Sequence, residues 1–292
     1  MDMNRFRDDF YLRMPSGPPT QGDVWTGLSW WADQASACTG LIITPRCDFS
    51  HDKTPVVNYL PVVSLPEFIR SDGGFRLISR ELKRVDDAFR NAARGVGVTP
   101  FIELGMGVAE IADIVRSAPD ALAVGAAKLQ KQFITLLDQE SRRKTLEAAF
   151  GSKRLSDDDL KNLIAEKELT KYLHEIMRNN VSDIHFIPPC PHLLPSPSVL
   201  LLRYVLTSPI TVLKKAGMCR TQEDWIAATS ADPIPGYARD SVLPERVLRV
   251  KSPFLESVMA RFAALYGRIG VRDVDTGEIE DFIQESKSQC GL

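Results

Sequence analysis

Strand-forming and helix-forming stretches of this chain fall in separate blocks, and that segregation limits the fold more than any other feature. Runs suited to strands cluster at about residues 21 to 66 and 181 to 215, and helical spacing dominates the stretch between them. Alternating βαβ units would interleave the two kinds of element, so segregated blocks point to an α+β fold. The economical arrangement is one small antiparallel sheet or barrel assembled from residues 21–66 and 181–250, with 67–180 as a large α-helical insertion. Residues 1–20 read as an N-terminal arm, because Pro15-Ser-Gly-Pro-Pro-Thr20 cannot continue a helix. Residues 251–292 read as a C-terminal amphipathic helix and tail, the helix covering an open barrel edge.

In the first block, Gln21–Thr26 is a turn entering a strand, Gly40–Pro45 a buried strand, and Val56–Val63 a third, where Pro61 suggests an edge or a bulge. Trp30 and Trp31 are of the type that anchors a core or an interface. In the second block, Ile184–Ile187 and Val199–Thr207 are strands, and Arg239–Lys251 is irregular or extended. Helical spacing covers Glu81–Arg94, Val108–Arg116 and Lys128–Phe150. Ser156 with Asp159, and Thr221 with Asp224, have the separation of capping boxes. The phase of the apolar residues changes near Glu166–Glu168, which places a kink or break there. The last helix should begin with Ser252 as cap and Pro253 at its first position. Leu255, Val258, Met259, Phe262, Leu265, Tyr266 and Ile269 would form one stripe, ended by Gly270.

The candidate functional residues follow the Gly40–Pro45 strand. Arg46, Cys47, Asp48, Ser50, His51, Asp52 and Lys53 crowd a short polar loop beyond a proline that stops ladder pairing. Arg46 and Lys53 can hold a phosphate or a carboxylate, Asp48 can orient one of them, and His51 adds a further polar group. The binding site is therefore expected at Arg46, Asp48, His51 and Lys53. The competing account is that Asp48, Ser50 and Asp52 only shape a turn.

Gly22-Asp-Val-Trp25, Gly40-Leu-Ile-Ile-Thr44 and Asn58-Tyr-Leu-Pro-Val-Val-Ser64 together resemble the first three strands of MazF/PemK-type toxins. Leu200–Ser208 is similar to their last barrel strand, and the likeness covers about a third of the chain. The resemblance implies a small SH3-like β-barrel, metal-independent cleavage of single-stranded RNA, and a toxin–antitoxin or antiviral-defence setting. Ser64 stands where that family has a functional threonine or serine. Leu28–Thr39 lacks the family's arginine, so Arg46 would have to replace it.

Other chemistries have weaker patterns. Cys47, His51, Cys190 and His192 supply a zinc donor set at an unusual spacing, and Cys47 with His185 or His192 is a nucleophile–base pairing without a protease signature. Asp48 with Glu81 and Lys83 would make a metal-dependent nuclease only if the latter two lay on a strand, and they lie in a helical pattern. No metal and no cofactor is expected. A formal net charge of −2 selects no partner class, so a nucleic-acid partner requires a local basic patch. The five cysteines are odd in number and lack a Cys-x-x-Cys pair, which with an N-terminus lacking an apolar core indicates a reducing, cytoplasmic protein. Val199–Leu213 is broken by Arg203 and Pro209 and is too short to span a bilayer, so no membrane partner is expected. The reading that follows is a binding or adaptor module for a protein or nucleic acid, with oligomerisation open, and a MazF/PemK-type endoribonuclease as the alternative.

Overall fold

The computed structural model describes residues 9–13, 15–30, 33–50, 54–117, 126–152, 154–234 and 241–267. Its centre is an eight-stranded antiparallel sheet: β1 (Tyr11–Arg13), β2 (Asp23–Trp30), β3 (Asp33–Ile42), β4 (Val56–Ser64), β5 (Ile184–Ile187), β6 (Ser198–Leu201), β7 (Leu206–Pro209) and β8 (Glu245–Val250). The spatial order is β1-β8-β2-β3-β4-β6-β5, with β7 also on β4. Both sequence blocks enter one sheet, and the fold mixes helix and sheet as expected. The sheet is open, however: among the described residues β1 and β5 end its main order and β7 pairs only with β4, while a hydrogen bond from Tyr11 Oη to the Pro188 carbonyl at 2.7 Å spans from β1 to the end of β5.

Period-two patterning assigns each face. Val24, Leu41, Leu60, Val62, Leu200, Leu248 and Val250 share one core with Phe10, Tyr11, Leu255 and Val258. Trp25, Leu28, Ile42, Val57 and Tyr59 point the other way, onto Val212, Leu213 and Trp225. Burial on both faces explains the continuous apolar run Leu41–Ile43. Gly40 has no tolerance for a side chain, since a Cβ there would lie 2.5 Å from Tyr59 Cδ2.

Pro61 marks neither an edge nor a bulge in its own strand. β4 lies inside the sheet, and Pro61 is paired with Gly40. On its other side β4 pairs with β7 through Val56–Tyr59 and with β6 through Val62–Ser64. The partner chain thus leaves the ladder opposite Pro61, where β4 has no N–H to offer. The expected single strand Val199–Thr207 is accordingly two strands, separated by an excursion at Leu202–Val205. Arg203, in that excursion, donates to Asp183 Oδ2 at 3.1 Å.

One further expectation changes and another becomes specific. The arm contains β1, which pairs in register with β8, from Tyr11 against Val250 to Arg13 against Leu248. Arg239–Lys251 was expected to be irregular or extended, and its second half is β8, held between β1 and β2.

The polar loop after β3 is a helical turn, α1 (Arg46–Ser50). Pro45 precedes it with a φ suited to a helix start, and the Asp48 N–H donates to the Pro45 carbonyl at 3.1 Å. The inter-block segment is helical: α2 (Leu65–Arg70), α3 (Asp72–Val96), α4 (Thr99–Glu103), α5 (Val108–Ser117), α6 (Ala126–Phe150), α7 (Asp157–Leu163) and α8 (Glu166–Met177). α3 is longer than its periodicity indicated and ends at Gly97, whose φ of 78° needs a glycine. The expected break falls between α7 and α8, and the capping box of Ser156 and Asp159 forms. After β7 come α9 (Ile210–Ala216) and α10 (Gln222–Ala231), the latter starting with the capping box of Thr221 and Asp224.

The last described helix is α11 (Phe254–Tyr266), without a side-chain cap and with Gly267 at its C-cap; Ile269 and Gly270 lie outside the described residues. Of the described residues of its stripe only Leu255 and Val258 are buried, while Phe262 is half-buried beside Tyr266. Arg261, half-buried, donates to the carbonyls of Val181 and Ile184 at 2.6 and 3.0 Å, pinning α11 to the start of β5. Complete burial would make Phe262→Ala cost about 3–5 kcal/mol; half-burial lowers the expectation to about 1–2 kcal/mol. Urea denaturation measures it, and a loss above about 3 kcal/mol would place Phe262 in the closed core.

Candidate functional site

The cleft that contains Arg46 is built by four separate segments. Ser16, Pro18, Pro19 and Thr20 form one wall, Arg46 and Phe49 of α1 another, and Ile210 and Lys214 of α9 with Arg249 of β8 complete a space of about 360 Å³. Arg46 and Lys214 are exposed, and Phe49 is half-buried against the core beneath.

A buried carboxylate organises the basic side of this cleft. Asp23 is fully buried and accepts from Arg249 Nε at 2.6 Å, Arg246 Nη1 at 3.3 Å and the Thr20 N–H at 2.9 Å. In a regular strand, residues 246 and 249 would face opposite sides. The β2–β8 register shifts between Val24 and Trp25, pairing Asp23 with Arg249 and Trp25 with Arg246. That bulge at Val247 returns both arginines to one carboxylate. Arg246 also donates to the carbonyls of Gly17 and Pro18, fixing the proline wall. A cation tied to a buried carboxylate is held in place before any ligand arrives.

Of the four expected binding residues, Arg46 lines the cleft. Asp48 does not; it is half-buried, with its carboxylate accepting from Cys47 Sγ at 3.5 Å. His51 and Lys53 lie outside the described residues, as does Trp31. Sequence reading missed Lys214, Arg249 and Asp23. Only the closely spaced Arg246 and Arg249 hinted at a basic site, and nothing indicated the bulge that turns them together.

The resemblance-derived set is not assembled. β3 and β4 are antiparallel, with Ile42 opposite Tyr59 and Thr39 opposite Val62. Arg46 lies beyond the Ile42–Tyr59 end and Ser64 beyond the other, more than about 15 Å away along the strand. Ser64 instead caps α2, its Oγ accepting from the Glu67 N–H at 3.4 Å. It opens onto a different cleft of about 620 Å³ with Cys38, Glu67 and Asp72. Arg154 pairs with Glu67 at 2.5 Å and Arg76 with Asp72 at 3.4 Å, so both carboxylates are matched. Burial pushes the Cys38 thiol up to about 12, which leaves it a poor nucleophile.

The described zinc donors are likewise not gathered, and His51 lies outside the described residues. Cys190 is buried in the core under α11, Cys47 is exposed on α1, and His192 is exposed with a φ of 66°. Among the described residues no group of three or more His, Cys, Asp or Glu side chains could hold a metal ion. Glu81 and Lys83 sit on α3, where Glu81 pairs with Arg84 at 2.7 Å. No described helix is long and apolar enough to cross a membrane.

Comparison with protein-family models, with curated proteins and with solved structures gives no match, so the functional reading rests on the chemistry of this chain.

Proposed function

We propose that this protein is a binding module that takes a single-stranded nucleic acid in the cleft between α1, α9 and β8. The observation that carries this reading is the convergence of Arg46, Lys214 and Arg249 around Phe49. Cations beside an aromatic ring suit a phosphate next to a stacked base. Against a chain-wide net charge of −2, these three cations make the cleft a local basic patch. In the same reading the sheet is an SH3-like barrel left open between β1 and β5. Its support is the core shared by strands from both blocks, the Tyr11–Pro188 bond across the gap, and the packing of α11 on that core. The likeness to MazF/PemK barrels is then one of fold and ligand class. Cleavage of RNA is the weaker reading, because Arg46 and Ser64 stand at opposite ends of the β3–β4 ladder.

Fluorescence anisotropy with a labelled single-stranded RNA in EDTA tests the proposal. Arg46→Ala combined with Lys214→Ala should weaken binding about tenfold or more and flatten its salt dependence. Melting should be unchanged within about 0.5 kcal/mol, since both side chains are exposed. The RNA should be recovered intact. Cleavage in EDTA would turn the conclusion to the ribonuclease, and unaltered affinity in the double variant would remove the cleft from the binding path.

A further inference from the structure

The geometry points to the outer face of α8 as a second docking surface for the sugar–phosphate backbone, extending the path of the nucleic acid proposed for the cleft and resting on that reading of the ligand. Lys167, Lys171, His174 and Arg178 are all exposed. Their separations of four, three and four residues keep them on one side of the helix, over roughly 16 Å. Among the described residues none of the four side chains makes a hydrogen bond or ion pair.

An ordinary solvated helix face mixes the signs of its charges, and Lys171 has Glu168 and Glu175 within helical reach. Both acids serve a different seam. Glu175 accepts from Arg80 of α3 at 3.2 Å, and Glu168 lends its charge to Arg84 of α3. Glu166 lies in the first turn, at the positive end of the helix dipole. Tyr172 and Ile176 face inward to the helical core. α8 thus has an apolar face, an acidic seam toward α3 and a cationic face that the rest of the described chain leaves unneutralised.

The chemistry of the groove on that face selects the occupant. It measures about 400 Å³; besides the four basic side chains, only Thr170, Asn180 and the Arg80-bound Glu175 line it. A protein partner would need an apolar centre to its contact, and no aliphatic residue, Phe, Tyr or Trp lines the groove. A regularly charged polyanion needs only cations in line and polar flanks, which is what sequence-independent backbone contact requires.

The test measures the affinity of the full chain for a labelled 30-nucleotide single-stranded RNA between about 50 and 200 mM salt. Two variants are compared with the native chain: Lys167→Gln/Lys171→Gln/Arg178→Gln on α8 and Arg46→Ala/Lys214→Ala in the cleft. Loss of three backbone contacts should lower the slope of log K against log salt by about two. Lys167→Gln/Lys171→Gln alone should lower it by about 1.4, a graded control if the triple variant melts early. An unchanged slope in the α8 variants with weakened binding in the cleft variant overturns this inference and leaves the cleft reading standing. A lower slope only in the α8 variants supports it and removes the cleft. No effect in either variant removes both. Binding of poly-glutamate in preference to RNA, lost in the α8 variants, overturns it in favour of an acidic protein partner.

Discussion

Asp23→Ala should lose about 3–5 kcal/mol of stability, a large part of what a domain of this kind possesses. The carboxylate is fully buried and holds two guanidinium groups and the Thr20 N–H. Removing it leaves Arg249 and Arg246, with side chains 21% and 16% exposed, close together and without their counter-charge. Arg246 keeps its bonds to the Gly17 and Pro18 carbonyls, so the larger part of the disturbance falls on Arg249. The same change should weaken nucleic-acid binding beyond what instability explains, because Arg249 lines the cleft. Urea denaturation gives the first effect, and anisotropy at a temperature where the variant stays folded gives the second. A loss below about 1 kcal/mol would mean that water replaces the carboxylate at little cost.

The protein should also lose about 3 kcal/mol between pH 7 and pH 4 through one imidazole. His185 is buried on β5, its Nδ1 has no hydrogen-bond partner among the described residues, and Arg261 lies nearby on α11. Burial first, and the Arg261 charge second, push its pKa down to about 4 from an ordinary 6.5. Between these two values the unfolded chain binds a proton that the folded chain does not. The stabilisation by neutral His185 is therefore complete above pH 6.5 and is lost as pH falls toward 4. Asp183, two residues earlier, titrates in a separate window. Burial raises its pKa, but the hydrogen bonds and charge of Arg76 outweigh burial and hold it below the usual 3.8. Its contribution is thus lost only below that pH. Denaturation curves at pH 7, 5.5 and 4.5 should fall for the native chain and lie much flatter for His185→Gln. Parallel losses in the two proteins would mean that the imidazole accepts its proton in place.

What the sequence made legible was local. Ser156 with Asp159 and Thr221 with Asp224 form the capping boxes expected of them, since a cap depends on four consecutive residues. The break before α8 was readable in the phase of its apolar residues. Pairing was not readable. Arg246–Val250 is an ordinary mixture of residues whose strand character comes from lying between β1 and β2. Phe262 had the right spacing for burial, but spacing does not say how far a core extends along a helix. The candidate site divides in the same way. Arg46 follows a buried strand and a proline, so it was visible. Lys214 and Arg249 join it only through the sheet register and the bulge at Val247, which no residue type announces.

The sheet joins residues that are far apart along the chain: Tyr11 pairs with Val250, and Ser64 with Ser198. Closing such ladders pays loop entropy before any contact repays it, so they form slowly. The helices between β4 and β5 make more local contacts and can order while the chain is still open. Refolding should therefore show early helical signal and late protection of sheet amides. The Asp23 cluster depends on the β2–β8 pairing, so the basic side of the cleft should be completed only when the far end of the chain arrives.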